Sequence, residues 1–180
     1  MALTATIFRF ELNLSDVDRG VYDALELRVA RHPSETDEHM VTRVLAMALE
    51  HREGLAFGRG ISTPEDPALS APGEHGTIAL WVEIGHPAPE RLHKITKQAD
   101  DVAVYTHKDP AGLLADLGSG KVHRGDEVRV VAFEAAFVAR LVETLDRKNQ
   151  WEVLRNEGSL YVTIAGTVLE TVPGQLSASA

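Results

Sequence analysis

The sequence contains no cysteine. Disulfides, thiol nucleophiles, iron–sulfur clusters and zinc–thiolate sites are thereby excluded. No run approaches the roughly 18–20 apolar residues that a membrane-spanning helix needs. The opening "MALTATIFRF" alternates instead of carrying a charged leader and an apolar block, so it reads as a strand and not as a signal peptide. Together these absences point to a cytoplasmic protein with no membrane partner. Positive charge is also scarce: 18 Lys and Arg stand against 27 Asp and Glu, for a net charge of −9. Avid nonspecific nucleic-acid binding depends on neutralising phosphates, and so acidic a chain is not built for it overall, though a local basic patch remains open. The eight histidines include no H-x-x-x-H pair, which argues against a His-based zinc centre. "GSGKVHRGD" (118–126) lacks phosphate-loop spacing, and no G-x-S-x-G nucleophile elbow occurs.

What is present is ordinary globular material, 44% hydrophobic and 25% charged over 180 residues. That length fits one domain, expected over 1–173, with "GQLSASA" (174–180) as a frayed, disordered tail. Residues 4–15 and 22–30 alternate around a turn at 15–20 and predict an N-terminal hairpin. A helix follows over about 35–52, with Ser34 as its N-cap and Val41, Val44, Leu45 and Ala48 on one face. Residues 58–76, rich in Gly and Pro, read as one long loop, a feature often functional or disordered. "TIALWVEIG" (77–85) is apolar on both faces and predicts a central strand. A helix over 88–100 and a strand over 101–107 complete a right-handed crossover between parallel strands. Further on come a short helix (110–118), a strand (127–133), a helix (134–148), a hairpin ("QWEVLR", "SLYVTI") and a third strand in "GTVLETV". The order predicts an α+β, or mixed α/β, fold around one sheet.

Three places invite chemistry. Glu83 sits near the end of the buried strand, where a carboxylate is costly unless it meets a cation. Either a structural Arg or a hard divalent ion would serve, since such ions take oxygen ligands. Arg91, Lys94 and Gln98 fall on one flank of the next helix, the flank that borders the strand's C-terminal end. They are either a solvated basic face or a source of charge stabilisation for phosphoryl transfer. The junction "ARHPSETDEHM" (30–40) gathers Arg31, His32, Ser34, Glu35 and Glu38 at one strand-to-helix turn. Helix capping explains Ser34 and the acids. A shared cleft with Glu83 would explain Arg31 and His32 as well.

The segments "VARHPSETDEHMVTRVLAMAL", "IALWVEIGHP" and "ERLHKITKQADDVAVYT" resemble the YaeQ family, and the likeness covers most of the chain up to about residue 108. YaeQ proteins are similar in fold to PD-(D/E)XK nucleases, the restriction-endonuclease-like group. The resemblance implies a mixed sheet with flanking helices and a Mg²⁺ or Mn²⁺ site at one sheet edge. It places Glu83 as the second-strand acid, Asp66 or Glu65 as the first, and Glu35 and Glu38 as helix acids. Two positions depart from the pattern. Gly85 stands where that group carries its Lys, a role Lys94 would take over, and Ala68 stands where relatives tend to have an acid. The implied activity is metal-dependent phosphodiester cleavage, with nucleic acid as partner. The alternative is a catalytically silent scaffold of the same type, acting as a binding or adaptor protein.

Overall fold

The computed structural model describes residues 4–178. In chain order the elements are β1 (Thr6–Asp16), β2 (Val21–Arg31), α1 (Asp37–Leu49), β3 (Ala56–Phe57), β4 (Leu69–Pro72) and β5 (Ile78–Ile84). They continue with α2 (Pro89–Ile95), β6 (Ala99–Thr106), α3 (Ala111–Gly118), β7 (Arg129–Ala132) and α4 (Ala135–Glu143). The chain closes with β8 (Lys148–Asn156), β9 (Ser159–Ile164), β10 (Thr167–Thr171) and β11 (Gly174–Leu176). The class is mixed α+β, as the element order predicts.

The strands form two sheets, not one. The first has the order β10-β9-β8-β1-β2, the second β11-β7-β6-β5-β4-β3. The N-terminal hairpin and the C-terminal antiparallel strands share the first sheet because β1 pairs in parallel with β8. That pairing joins strands more than a hundred residues apart, and no local pattern announces it. In the second sheet β5, β6 and β7 run parallel, as the crossover reading requires.

Alternation explains the layering. Phe8, Phe10, Leu12 and Leu14 of β1 point inward while their neighbours face solvent. They meet Trp151, Val153 and Leu160 from their own sheet, with Phe10 and Trp151 edge-to-face at 5.1 Å. Leu80 and Val82 of β5 join this core from the second sheet, whereas Trp81 belongs to a second core with Leu92 and Ile95 of α2 and Leu113 and Leu117 of α3. β5 is therefore buried on both faces. Helix α1 contacts β1 and β2 on one side and β5 and β6 on the other. Wedged between sheets, it has no solvent face over residues 40–49.

Several boundaries move, each for a local reason. Helix α1 starts at Asp37, capped by Thr36, whose side chain accepts from the His39 N–H at 3.2 Å. Ser34 is not the cap, because its hydroxyl is engaged by His32 Nδ1 at 2.7 Å. Helix α2 stops at Ile95, where the Thr96 hydroxyl bonds back to the Leu92 carbonyl, and Arg124 takes the Ala99 carbonyl as β6 begins. Helix α4 ends at Glu143, with the Thr144 hydroxyl on the Leu141 carbonyl. The stretch expected as loop contains β4, antiparallel to β5. The expected tail is also partly ordered: Gly174–Leu176 pairs with β7, and Ala178 is buried beside α3. Residues 179 and 180 lie outside the described residues.

The last strand carries its own test. Truncation after Pro173 removes the β7 pairing and the Ala178 contact, and should lower unfolding stability by about 2 kcal/mol. Truncation after Ala178 should leave the thermal transition unchanged. A thermal or urea unfolding series reads the difference, and equal stability of the two truncations would show that the terminal strand contributes nothing.

Candidate functional site

The expected acid, Glu83, is 8% exposed at the end of β5. It shares a strand face with Trp81, two residues earlier, and the Trp81 indole N–H donates to Glu83 Oε1 at 2.6 Å. Arg91 of α2 completes a clamp, donating from Nε to Oε2 at 3.0 Å and from Nη2 to Oε1 at 2.8 Å. The fork is bidentate, the strongest common geometry for this pair. Arg91 also donates to the Pro64 carbonyl and, at 2.9 Å, to the Asp66 carbonyl. One guanidinium thus ties the β5 end to the 60–68 loop, and the carboxylate raises the Arg91 pKa.

Asp66 comes close, but its carboxylate is turned to a different cation. Arg59 donates to Oδ2 from Nε at 2.6 Å and to Oδ1 from Nη2 at 2.9 Å. Those hydrogen bonds hold Asp66 at a pKa of about 2. All four carboxylate oxygens of Glu83 and Asp66 accept from N–H donors. Among the described residues, no three His, Asp or Glu side chains converge as a metal-holding group.

Gly85, the first departure from the nuclease pattern, has a backbone reason. Its φ is +93°, in the region that glycine tolerates and side-chain-bearing residues resist. The Gly85 N–H donates to the Tyr105 carbonyl at 2.8 Å, which fixes the turn as the chain leaves β5. A lysine at 85 would strain that turn. Lys94 is exposed and does not line the cavity beside Glu83. On α2 it is Arg91, one turn earlier, that reaches the acid. Gln98 lies beyond the helix and is exposed.

The 30–40 junction divides in two. Arg31, His32 and Ser34 secure the junction itself: Arg31 pairs with Asp37 and stacks over Phe8, and His32 Nδ1 receives the Ser34 N–H at 3.1 Å. Glu38 lies outside the cavity lining and offers its carbonyl to Thr42 at 2.7 Å. Glu35 points inward. It accepts from Arg43 Nε and Nη2 at 2.7 and 2.8 Å and bonds His39 Nδ1 at 2.6 Å. Burial pushes the Glu35 carboxyl up, but His39 and Arg43 outweigh it and hold it below the usual glutamate value. An ionised Glu35 can only accept, so His39 Nδ1 is the donating nitrogen of that contact.

These groups meet in one small cavity of about 110 Å³, lined by His39 and Arg43 from α1, by the 60–68 loop, and by Glu83 and Arg91. Of the 30–40 junction only His39 lines this cavity; Arg31, His32, Ser34, Glu35 and Glu38 do not. Sequence reading missed His39, Arg43, Arg59 and Trp81. Two of them left a signal: Arg43 interrupts the apolar face of α1, and Trp81 lies at i−2 from Glu83 on one strand face. Arg59 had none, since a loop pairing over seven residues follows no periodicity.

Removing the clamp should be costly. Arg91→Ala strands Glu83 with one indole donor and should lower stability by about 3 kcal/mol, whereas Arg59→Ala on the exposed loop should change it little. Denaturant unfolding of both variants is the check, and equal small losses would mean that Glu83 is solvated.

The sequence model described as "YaeQ protein" matches residues 1–173. An uncharacterized YaeQ protein from Salmonella typhi is 33% identical over 171 residues, covering 94% of each chain. That of Escherichia coli K12 is 40% identical over 114 residues, 63% of each chain. The crystal structure of the YaeQ protein from Xanthomonas axonopodis pv. citri superposes with a TM-score of 0.88 at 29% identity, over 98% of this chain and 100% of that one. The Pseudomonas syringae YaeQ structure gives 0.85 at 32% identity, over 97% of each. With the motifs around the junction, β5 and α2 in place, the chain belongs to the YaeQ family.

Proposed function

We propose that this protein is a binding scaffold and not a metal-dependent hydrolase, and that the cavity between α1, the 60–68 loop and α2 is its recognition cleft. One observation carries the reading: the acid expected to hold the metal is already neutralised by a fixed cation. A Mg²⁺ or Mn²⁺ ion at Glu83 would have to displace Arg91 or sit against its charge, and Asp66 would have to leave Arg59. Mg²⁺ keeps most of its waters and binds through free carboxylate oxygens. The Gly85 turn supports the same reading, since a glycine at φ +93° stands where the nuclease pattern carries its Lys.

Kinship with restriction-endonuclease-like scaffolds belongs to this proposal too. An antiparallel β4–β5 pair followed by the β5–α2–β6 crossover, with an acid at the end of β5, supports it. A shared scaffold does not carry its chemistry along. What the cleft offers a ligand is two carboxylates, Glu83 and Asp66, and two guanidiniums, Arg91 and Arg43, with His39 beside them; Arg59 and Glu35 pair with Asp66 and Arg43 from outside the lining. Such a lining recognises polar groups by hydrogen bonds. It does not concentrate a polyanion.

Two measurements test the proposal together. Titration with Mg²⁺ and Mn²⁺ by calorimetry should give no saturable heat that depends on Glu83. Plasmid, single-stranded DNA and RNA should survive incubation in millimolar metal. Metal binding abolished by Glu83→Ala, with EDTA-sensitive cleavage lost in the same variant, would establish the nuclease reading instead.

A further inference from the structure

The outer face of the five-stranded sheet, remote from the cleft, carries charges in an order that a lone sheet does not favour. Arg28 of β2 lies opposite Arg9 of β1, and Arg9 lies opposite Lys148 of β8. Two residues further along, Glu26 lies opposite Glu11, and Glu11 opposite Gln150. Three cations therefore form one row across the strands, and two carboxylates with an amide form the next. All six side chains are exposed. Like charges directly opposite one another destabilise strand pairing. Among the described residues none of these charges enters an ion pair, and the one side-chain bond in the set is Gln150 Nε2 to Glu11 Oε2 at 3.0 Å. The face is dished, with a hollow of about 550 Å³ over the acid row adjoining one of about 360 Å³ over Arg9 and Lys148.

We propose that two copies of this chain dock through this face, related by a two-fold axis that runs across the strands midway between the rows. A half-turn about that axis lays the cation row of each copy over the acid row of the other. Arg28 then faces Glu26 of the second copy, Arg9 faces Glu11, and Lys148 faces Gln150, each contact occurring twice. In the rows just outside, Ile7 and Ala30 fall over Asn13 and Ala24. An isologous interface requires such self-complementarity. Sheets packed face to face sit about 10 Å apart, a gap that one Arg and one Glu side chain span together. The rows that oppose a single sheet thereby become the match between two. A nucleic-acid strand laid on the cation row would place its phosphates beside Glu11 and Glu26, so the second copy is the better occupant.

The test is a charge-reversal pair. Sedimentation velocity of the full chain at low ionic strength should show a dimer that weakens as salt rises. Glu11→Lys/Glu26→Lys makes both rows positive, and Arg9→Glu/Arg28→Glu makes the β1 and β2 part of both rows negative. Each variant alone should lose self-affinity by at least about tenfold, the equivalent of one charge pair. An equimolar mixture should recover the dimer as a heterodimer. The substituted side chains are exposed, and circular dichroism checks that both variants fold. A wild-type chain that stays monomeric at high concentration overturns the proposal. So do two variants that each retain the dimer, or a mixture that does not re-associate. Oligonucleotide binding by a monomeric wild type, lost in Arg9→Glu/Arg28→Glu, would give the face to nucleic acid instead.

Discussion

The pairing of Glu83 with Arg91 organises the candidate site. A carboxylate at the end of a strand buried on both faces must be neutralised or pushed out to water. Here it accepts a hydrogen bond from the Trp81 indole and is neutralised by a two-pronged guanidinium. Because Arg91 also grips the carbonyls of Pro64 and Asp66, the charge that stabilises the acid also closes the 60–68 loop over the cleft. A buried ion pair of this kind is weak as a source of net stability but costly to break from one side. Its value lies in fixing α2, β5 and the loop in one arrangement.

The same constraint recurs along α1. A helix wedged between two sheets cannot send its polar groups to solvent, so each finds a partner. Arg43, with only 5% of its side chain exposed, holds Glu35 and the Ala30 carbonyl. Glu50, at the C-terminal cap, accepts from the Tyr105 hydroxyl and from Arg129, both at 2.8 Å. Arg129 continues to Asp101 at 2.8 Å, linking α1 to β6 and β7. Burial and the neighbouring carboxylate both push the Tyr105 phenol up, which keeps it a donor. Packing between sheets thus demands charge matching, and one of the matched charges, Arg43, forms part of the cleft wall.

Much of this was legible in the residues. Alternation marked β1 and β2, and the two-faced apolar run marked β5 as central. The need of Glu83 for a cation followed from burial alone, whereas helix spacing put Arg91, Lys94 and Gln98 together on one flank and the expectation gave the site role to Lys94. What stayed hidden depends on contacts distant in sequence. The parallel β1–β8 pairing splits the strands into two sheets, and no local pattern encodes it. Arg124 sets where β6 begins from across the fold, so the end of α2 could not be read from its own residues. The choice between Arg91 and a metal for Glu83 turns on which side chain reaches it, and Lys94, three residues on, points elsewhere.

No helix among the described residues is long and apolar enough to cross a membrane. Family membership and topology leave chemistry to the site, and the site turns on one contact. Crystals grown in millimolar Mn²⁺, with anomalous diffraction collected at the manganese edge, examine it directly. Arg91 should sit on both oxygens of Glu83, with no anomalous peak within coordination distance of that carboxylate. A manganese ion shared by Glu83 and Asp66, with Arg91 swung out into solvent, would contradict it.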